Sequence, residues 1–134
     1  MKITLIVGLP GSGKTHLAKT IAKETDADLF DDTSLNRNVF MELIESDDKR
    51  NKIITDQSLC SESARSFCIK LLSKLFPSHE MEWIYFENNP EKCHNNVRSR
   101  QDESRHVDNL IDFLSKSYTI PNDVKPLSIW KETI

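Results

Sequence analysis

Glycine is almost absent from this chain. There are three in 134 residues, and all of them, Gly8, Gly11 and Gly13, fall within one loop of six positions. Cysteine is equally sparse: Cys60, Cys68 and Cys93 make an odd count with no C-x-x-C spacing. That excludes a disulfide framework and argues against a zinc site, and it points to reduced, mostly buried thiols of a cytosolic protein. No apolar run approaches membrane-spanning length, and the chain enters a strand almost at once, leaving no room for a signal peptide. A soluble, cytoplasmic protein is expected. The formal net charge of -3 excludes a global polycation seeking nucleic acid. At this length the chain reads as one domain, 1–134, large enough to bury a core.

The apolar residues alternate between two periods. "KITLIV" reads as a buried strand, and Leu17, Ala18, Ile21 and Ala22 then follow at helical spacing. "ADLF" is a short strand, and Leu35, Val39, Phe40, Leu43 and Ile44 are helical. "KIIT" is a third strand. Ala64, Phe67, Cys68, Leu71, Leu72 and Leu75 form an amphipathic helix that Ser61 is placed to cap. "MEWIYF" is the fourth strand, and Asn89-Pro90 starts a helix, since proline suits the first helical position. Val107, Leu110, Ile111, Leu114 and Tyr118 predict one more helix, and "PLSIW" a closing strand. This alternation predicts an α/β fold with a mainly parallel sheet, whose ligands bind at the carboxyl ends of the strands.

The glycine loop lies at such an end. "GLPGSGKT" fits G-x-x-x-x-G-K-[ST] between a buried strand and a helix, the setting its mechanism requires. A loop that turns its backbone N–H groups inward around phosphates has no room for side chains at several positions, which explains the glycines. Gly8 and the run Pro10, Gly11, Ser12, Gly13, Lys14, Thr15 and His16 form the predicted nucleotide site. Lys14 reaches the β- and γ-phosphates, Thr15 joins the Mg²⁺ shell, and the helix presents its positive end to the anion. His16 has no context beyond its place in this run. Such a pattern arises by chance in roughly one chain of this length per few hundred. A Ras-type GTPase does not fit: "NKII" lacks the aspartate of a base reader, and no glycine remains for a D-x-x-G switch.

Acids stand at the other strand ends. "DLFDDTS" puts Asp31 and Asp32 after the second strand, where a kinase needs a carboxylate to orient or deprotonate the attacking hydroxyl. Two solvated acids capping the next helix are the plain alternative. Asp56 ends the third strand and either serves the Mg²⁺ shell or merely closes the strand. "NNVRSRQDESRHV", at the join of two helices, gathers Arg98, Arg100 and Arg105, which a mobile lid would bring over the transferring phosphoryl group. A solvated helix end is the bland reading of that cluster. Arg65, His79 and His94 lack comparable context and are expected at the surface or in local packing.

Four segments, "GLPGSGKT", "DLFDD", "KIITDQSL" and "WIYFENNPEKCHNNVRSR", resemble the small P-loop kinases of the 5′-hydroxyl polynucleotide kinase type, within the wider AAA_33 and zeta-toxin-like group. "HVDNLIDFLSKSY" resembles that family's helix after the lid. The resemblance implies Lys14 and Thr15 on ATP–Mg²⁺, Asp32 as general base and Arg98 or Arg100 as the lid arginine. It also implies a three-layer P-loop NTPase fold with a five-stranded sheet in the order 2-3-1-4-5. One position departs. Where the family usually carries an arginine three residues after the catalytic aspartate, this chain has Leu35, and the nearest base is Arg37. From Glu24 to Asp48 nine acids face that single base, a poor bed for a polyanion. The expected activity is ATP- and Mg²⁺-dependent phosphorylation of a hydroxyl on a nucleoside, nucleotide or polynucleotide 5′ end. A small-metabolite kinase and an ATP-binding regulatory module with weak ATPase activity are the alternatives.

Overall fold

The computed structural model describes residues 1–31, 39–46, 49–99 and 105–129. Asp32, Leu35, Arg37 and Arg100 lie outside the described residues, as do the side chains of Val39, Phe40 and Arg105. Four strands, β1 (Lys2–Val7), β2 (Asp28–Phe30), β3 (Lys52–Thr55) and β4 (Glu80–Tyr85), form one sheet in the order β2-β3-β1-β4, every pair parallel. The helices are α1 (Lys14–Thr25), α2 (Val39–Glu45), α3 (Glu62–Leu75), α4 (Pro90–Ser99) and α5 (Arg105–Ser117). A 3-10 turn at Gln57–Cys60 joins β3 to α3. The result is the α/β fold with a parallel sheet that the alternating pattern implied, in the P-loop architecture that the family resemblance implied.

β1 is central because its side chains bury on both faces: Ile3, Leu5, Ile6 and Val7 are fully enclosed. Each such aliphatic side chain contributes about 1.5–3 kcal/mol through area removed from water. Cys68, Leu72, Cys93, Val97 and Ile111 bring α3, α4 and α5 onto the same core. Lys52, at the start of β3, is also fully buried, with Nζ 3.7 Å from Asp28 Oδ2 and 5.6 and 5.5 Å from the centres of the Phe30 and Phe76 rings. Its charge is met by a carboxylate and two π faces rather than by water. All three cysteines are buried free thiols, and burial pushes Cys68 up to about 12.

Two expectations need correction. The fifth strand does not form among the described residues. "PLSIW" contributes one parallel bridge, Phe86 with Leu127, closed by Leu127 N–H to Tyr85 O and Glu87 N–H to Leu127 O, both 2.8 Å. Pro126, just before it, has no N–H with which to extend the ladder. Ser61 occupies the N-cap position of α3, yet its hydroxyl makes no capping bond to the backbone and pairs with Ser63 Oγ at 2.8 Å instead. Of the two places expected for Arg65, the surface or local packing, it takes the second. Its guanidinium donates to Leu59 O (2.8 Å), Cys60 O (3.0 Å) and Thr119 Oγ1 (2.8 Å), and it lies 5.5 Å from the Tyr85 ring centre. It thereby ties the 3-10 turn to the chain beyond α5. Among the described residues no helix is long and apolar enough to cross a membrane.

Candidate functional site

The loop between β1 and α1 takes a shape only its own sequence permits. Gly11 and Gly13 sit at φ 85° and 101°, a left-handed backbone that residues with a side chain rarely adopt. A Cβ on Gly8 would lie 2.5 Å from Ser12 Oγ, and one on Gly11 would lie 2.6 Å from the Cys93 carbonyl oxygen of α4. The loop is thus walled on one side by a helix more than 80 residues away in sequence. Ser12 N–H closes a turn onto Leu9 O at 3.1 Å, and Asn96 Nδ2 of α4 donates to Gly11 O at 2.8 Å. The Ser12 hydroxyl is fully buried and has no hydrogen-bond partner among the described residues. Lys14, the first residue of α1, is buried, whereas His16 is exposed.

Sheet register then assembles the floor of the site. Phe30 pairs with Ile54, so the next residues, Asp31 and Thr55, stand side by side at the strand ends. Asp31 is 2 % exposed, and its Oδ1 accepts hydrogen bonds from Thr15 Oγ1 at 3.1 Å and from Thr55 Oγ1. Ile6 pairs with Thr55, which puts Asp56 one residue further on, beside the end of β1. Asp56 Oδ1 accepts the Ser58 N–H at 2.8 Å and so caps the 3-10 turn that follows β3.

The sequence had named Asp31 and Asp32 together and favoured Asp32. It missed the Asp31–Thr15–Thr55 arrangement and the Asn96 contact. A polar Thr55 closing an apolar strand was the available signal for the first. Arg98 is exposed in the last turn of α4, and its Nη1 reaches Asn95 Oδ1 at 3.3 Å on the same helix. His94, on α4, bridges α5: Nδ1 lies 2.6 Å from Asp108 Oδ1 and Nε2 2.7 Å from Asp112 Oδ1. Burial disfavours the charged ring, but hydrogen bonds to Asp112 and Asp108 and their negative charge outweigh it. The His94 pKa is raised above its ordinary value.

A strand-to-helix loop of this shape, with a buried lysine at the helix start, is a phosphate-binding loop. A family model, the ATPase family associated with various cellular activities (AAA), matches residues 4–114. The chain belongs to the AAA family. An uncharacterized protein of Acanthamoeba polyphaga mimivirus is 33% identical to this AAA-family chain over 123 residues, covering 89% of the chain and 87% of that protein. Among solved structures, a gluconokinase from Sinorhizobium meliloti 1021 superposes with a TM-score of 0.64 at 13% identity, over 95% of this chain and 80% of its own. A sugar kinase from Janibacter sp. HTCC2649 gives 0.58 at 13% identity, over 96% and 84%. At that identity the likeness is one of fold.

Nucleotide and Mg²⁺ are what the AAA family implies, and the residues present suit both. A Cβ on Gly8 would press on Ser12 and one on Gly11 on α4, so the loop keeps its close turn only with bare backbone at both, and the buried Ser12 hydroxyl on that turn has no partner among the described residues. A threonine hydroxyl binds a metal ion through its oxygen lone pairs, so its proton needs an acceptor elsewhere. Asp31 is that acceptor for Thr15. Among the described residues no group of three His, Cys, Asp or Glu could hold a metal by itself. Mg²⁺ takes one or two protein oxygens and completes its shell with phosphates and water.

Proposed function

We propose that this AAA-family chain is an ATP- and Mg²⁺-dependent phosphotransferase that passes the γ-phosphate to a hydroxyl of a nucleoside, a nucleotide or a polynucleotide 5′ end. The observation that carries the proposal is the hydrogen bond from Thr15 to the buried Asp31 at the end of β2. It supports a site in which a carboxylate from the end of β2, two strands over from β1, serves the phosphate loop directly, with the adjacent Asp32 assigned to the acceptor.

The roles follow from chemistry. The loop N–H groups and the Lys14 ammonium hold the β- and γ-phosphates, and the α1 N-terminus adds its positive end. When bound, Mg²⁺ neutralises phosphate charge, with Thr15 and Asp56 as its protein contacts. Asp32 takes the acceptor proton as the acceptor oxygen bonds to the γ-phosphorus, and the bond from that phosphorus to the β-phosphate oxygen breaks, releasing ADP. Arg98 and Arg100 stabilise the charge on the equatorial oxygens. A second acceptor class, a small hydroxylated metabolite, is supported by the fold shared with proteins named gluconokinase and sugar kinase. A screen of hydroxyl acceptors by ATP turnover tests the proposal. Stimulation by a nucleoside or nucleotide is expected. Slow turnover that no acceptor stimulates would instead indicate an ATP-binding module.

A further inference from the structure

α4 presents one buried polar side chain to the phosphate loop. Asn96 is 6 % exposed, and its amide donates to Gly11 O at 2.8 Å across 85 residues of sequence. The peptide between Gly11 and Ser12 is thereby held at both ends, its N–H by Leu9 O and its carbonyl by Asn96. A glycine at φ 85° has neighbouring backbone states within easy reach. In one of them the Gly11 carbonyl would swing toward the cradle and set its partial negative charge against a bound phosphate.

We infer that Asn96 is a positioning residue for nucleotide binding: it anchors the Gly11 carbonyl outward and keeps the loop tip in its phosphate-accepting shape. The inference rests on the nucleotide reading of the loop. It also gives α4 a role in the site separate from Arg98, two residues on. The adjacent contact of Gly11 with the Cys93 carbonyl sets the spacing, because only a residue without Cβ lets the helix come close enough for the Asn96 bond.

Asn96→Asp tests this with almost no change in shape. The carboxylate cannot donate and faces the carbonyl with a like partial charge. The ATP dissociation constant should rise about tenfold, the weight of one buried hydrogen bond. KM for ATP should rise with it, while KM for the acceptor stays unchanged, a split that general loosening of the fold would not produce. Asn96→Ala, which removes donor and charge together, should weaken ATP binding in the same direction and decides the matter should the aspartate variant fail to fold. In the wild-type protein the Asn96 side-chain amide resonances should move when Mg-ATP is added. Wild-type ATP affinity in a folded variant, or an Asn96 amide indifferent to ATP, would overturn the inference. Lys14→Ala separates the two claims. If it binds ATP like the wild type, the nucleotide reading itself fails; if it loses ATP while Asn96→Asp keeps it, only the role of Asn96 fails.

Discussion

Thr15 Oγ1 donates to Asp31 Oδ1 at 3.1 Å, and Thr55 donates to the same oxygen. Two hydroxyls, one from the helix that begins at the phosphate loop and one from the end of β3, thus converge on a carboxylate that water barely reaches. A buried carboxylate tolerates its surroundings only with such partners.

Removing one of them should be measurable as stability. Thr55→Val keeps the shape of the side chain and deletes one donor. It is expected to cost about 1–3 kcal/mol, the penalty of an under-satisfied buried acceptor. Urea unfolding measures it, and an unchanged midpoint would mean Asp31 does not depend on Thr55.

Asp31→Asn should act on the metal rather than on the nucleotide. The amide can still accept from Thr15 but carries no charge, so the Mg²⁺ concentration for half-maximal turnover should rise several-fold. ATP affinity in EDTA should hardly move, because no phosphate contact is lost. Turnover against Mg²⁺ at fixed ATP reads this out. An unaltered requirement would return Asp31 to a purely structural role.

Gly11→Ala attacks the loop itself. The new methyl meets the Cys93 carbonyl at 2.6 Å, and φ 85° is strained for alanine. The strain should cost about 1–3 kcal/mol of stability. ATP binding should fall as well, since α4 and the loop must separate. Calorimetric unfolding with and without ATP tests both, and an alanine variant with wild-type values for each would contradict the close packing described.

The bridge from His94 to Asp108 and Asp112 predicts a pH-dependent clasp between α4 and α5. Carboxylates only accept hydrogen bonds, so both ring nitrogens must donate, and the ring must be protonated. Because folding raises the His94 pKa above the ordinary 6.5, its contribution is fully present below that pH and is lost as pH rises through the raised value. The stability gap between wild type and His94→Gln should therefore be widest in mild acid and close toward alkaline pH. A gap independent of pH would show that the ring is held by packing alone.

The phosphate loop was legible in sequence because each residue type there answers a geometric demand that nothing else satisfies as simply. β1 was legible because a buried parallel strand is a short, mostly apolar run. The Asp31 site was only half legible, since its three members come from three segments whose register the sequence does not display. Asn96 was not legible at all: an asparagine inside a helix carries no signal until its neighbour across the fold is known. His94 is the same case, its partners one turn apart on α5. "PLSIW" misled because its apolar content suits a strand, while Pro126 limits the ladder it can build.

The segment from Glu24 to Asp48, with nine acids against Arg37, predicts weak salt dependence of acceptor binding. Neutralising several phosphates would release counterions and give a steep slope. KM for a mononucleotide and for a longer strand, each followed against ionic strength, should change little and similarly. A steep slope with preference for the longer strand would assign Arg98, Arg100 and Arg105 to a nucleic-acid track.

The fate of the γ-phosphate of labelled ATP, followed with wild-type protein and Lys14→Ala in the presence of a nucleoside, nucleotide and sugar panel, tests phosphoryl transfer most directly. Label on an acceptor hydroxyl with the wild type, and none with Lys14→Ala, is the expected result. Label appearing solely as inorganic phosphate, at one rate whatever the acceptor, would contradict it.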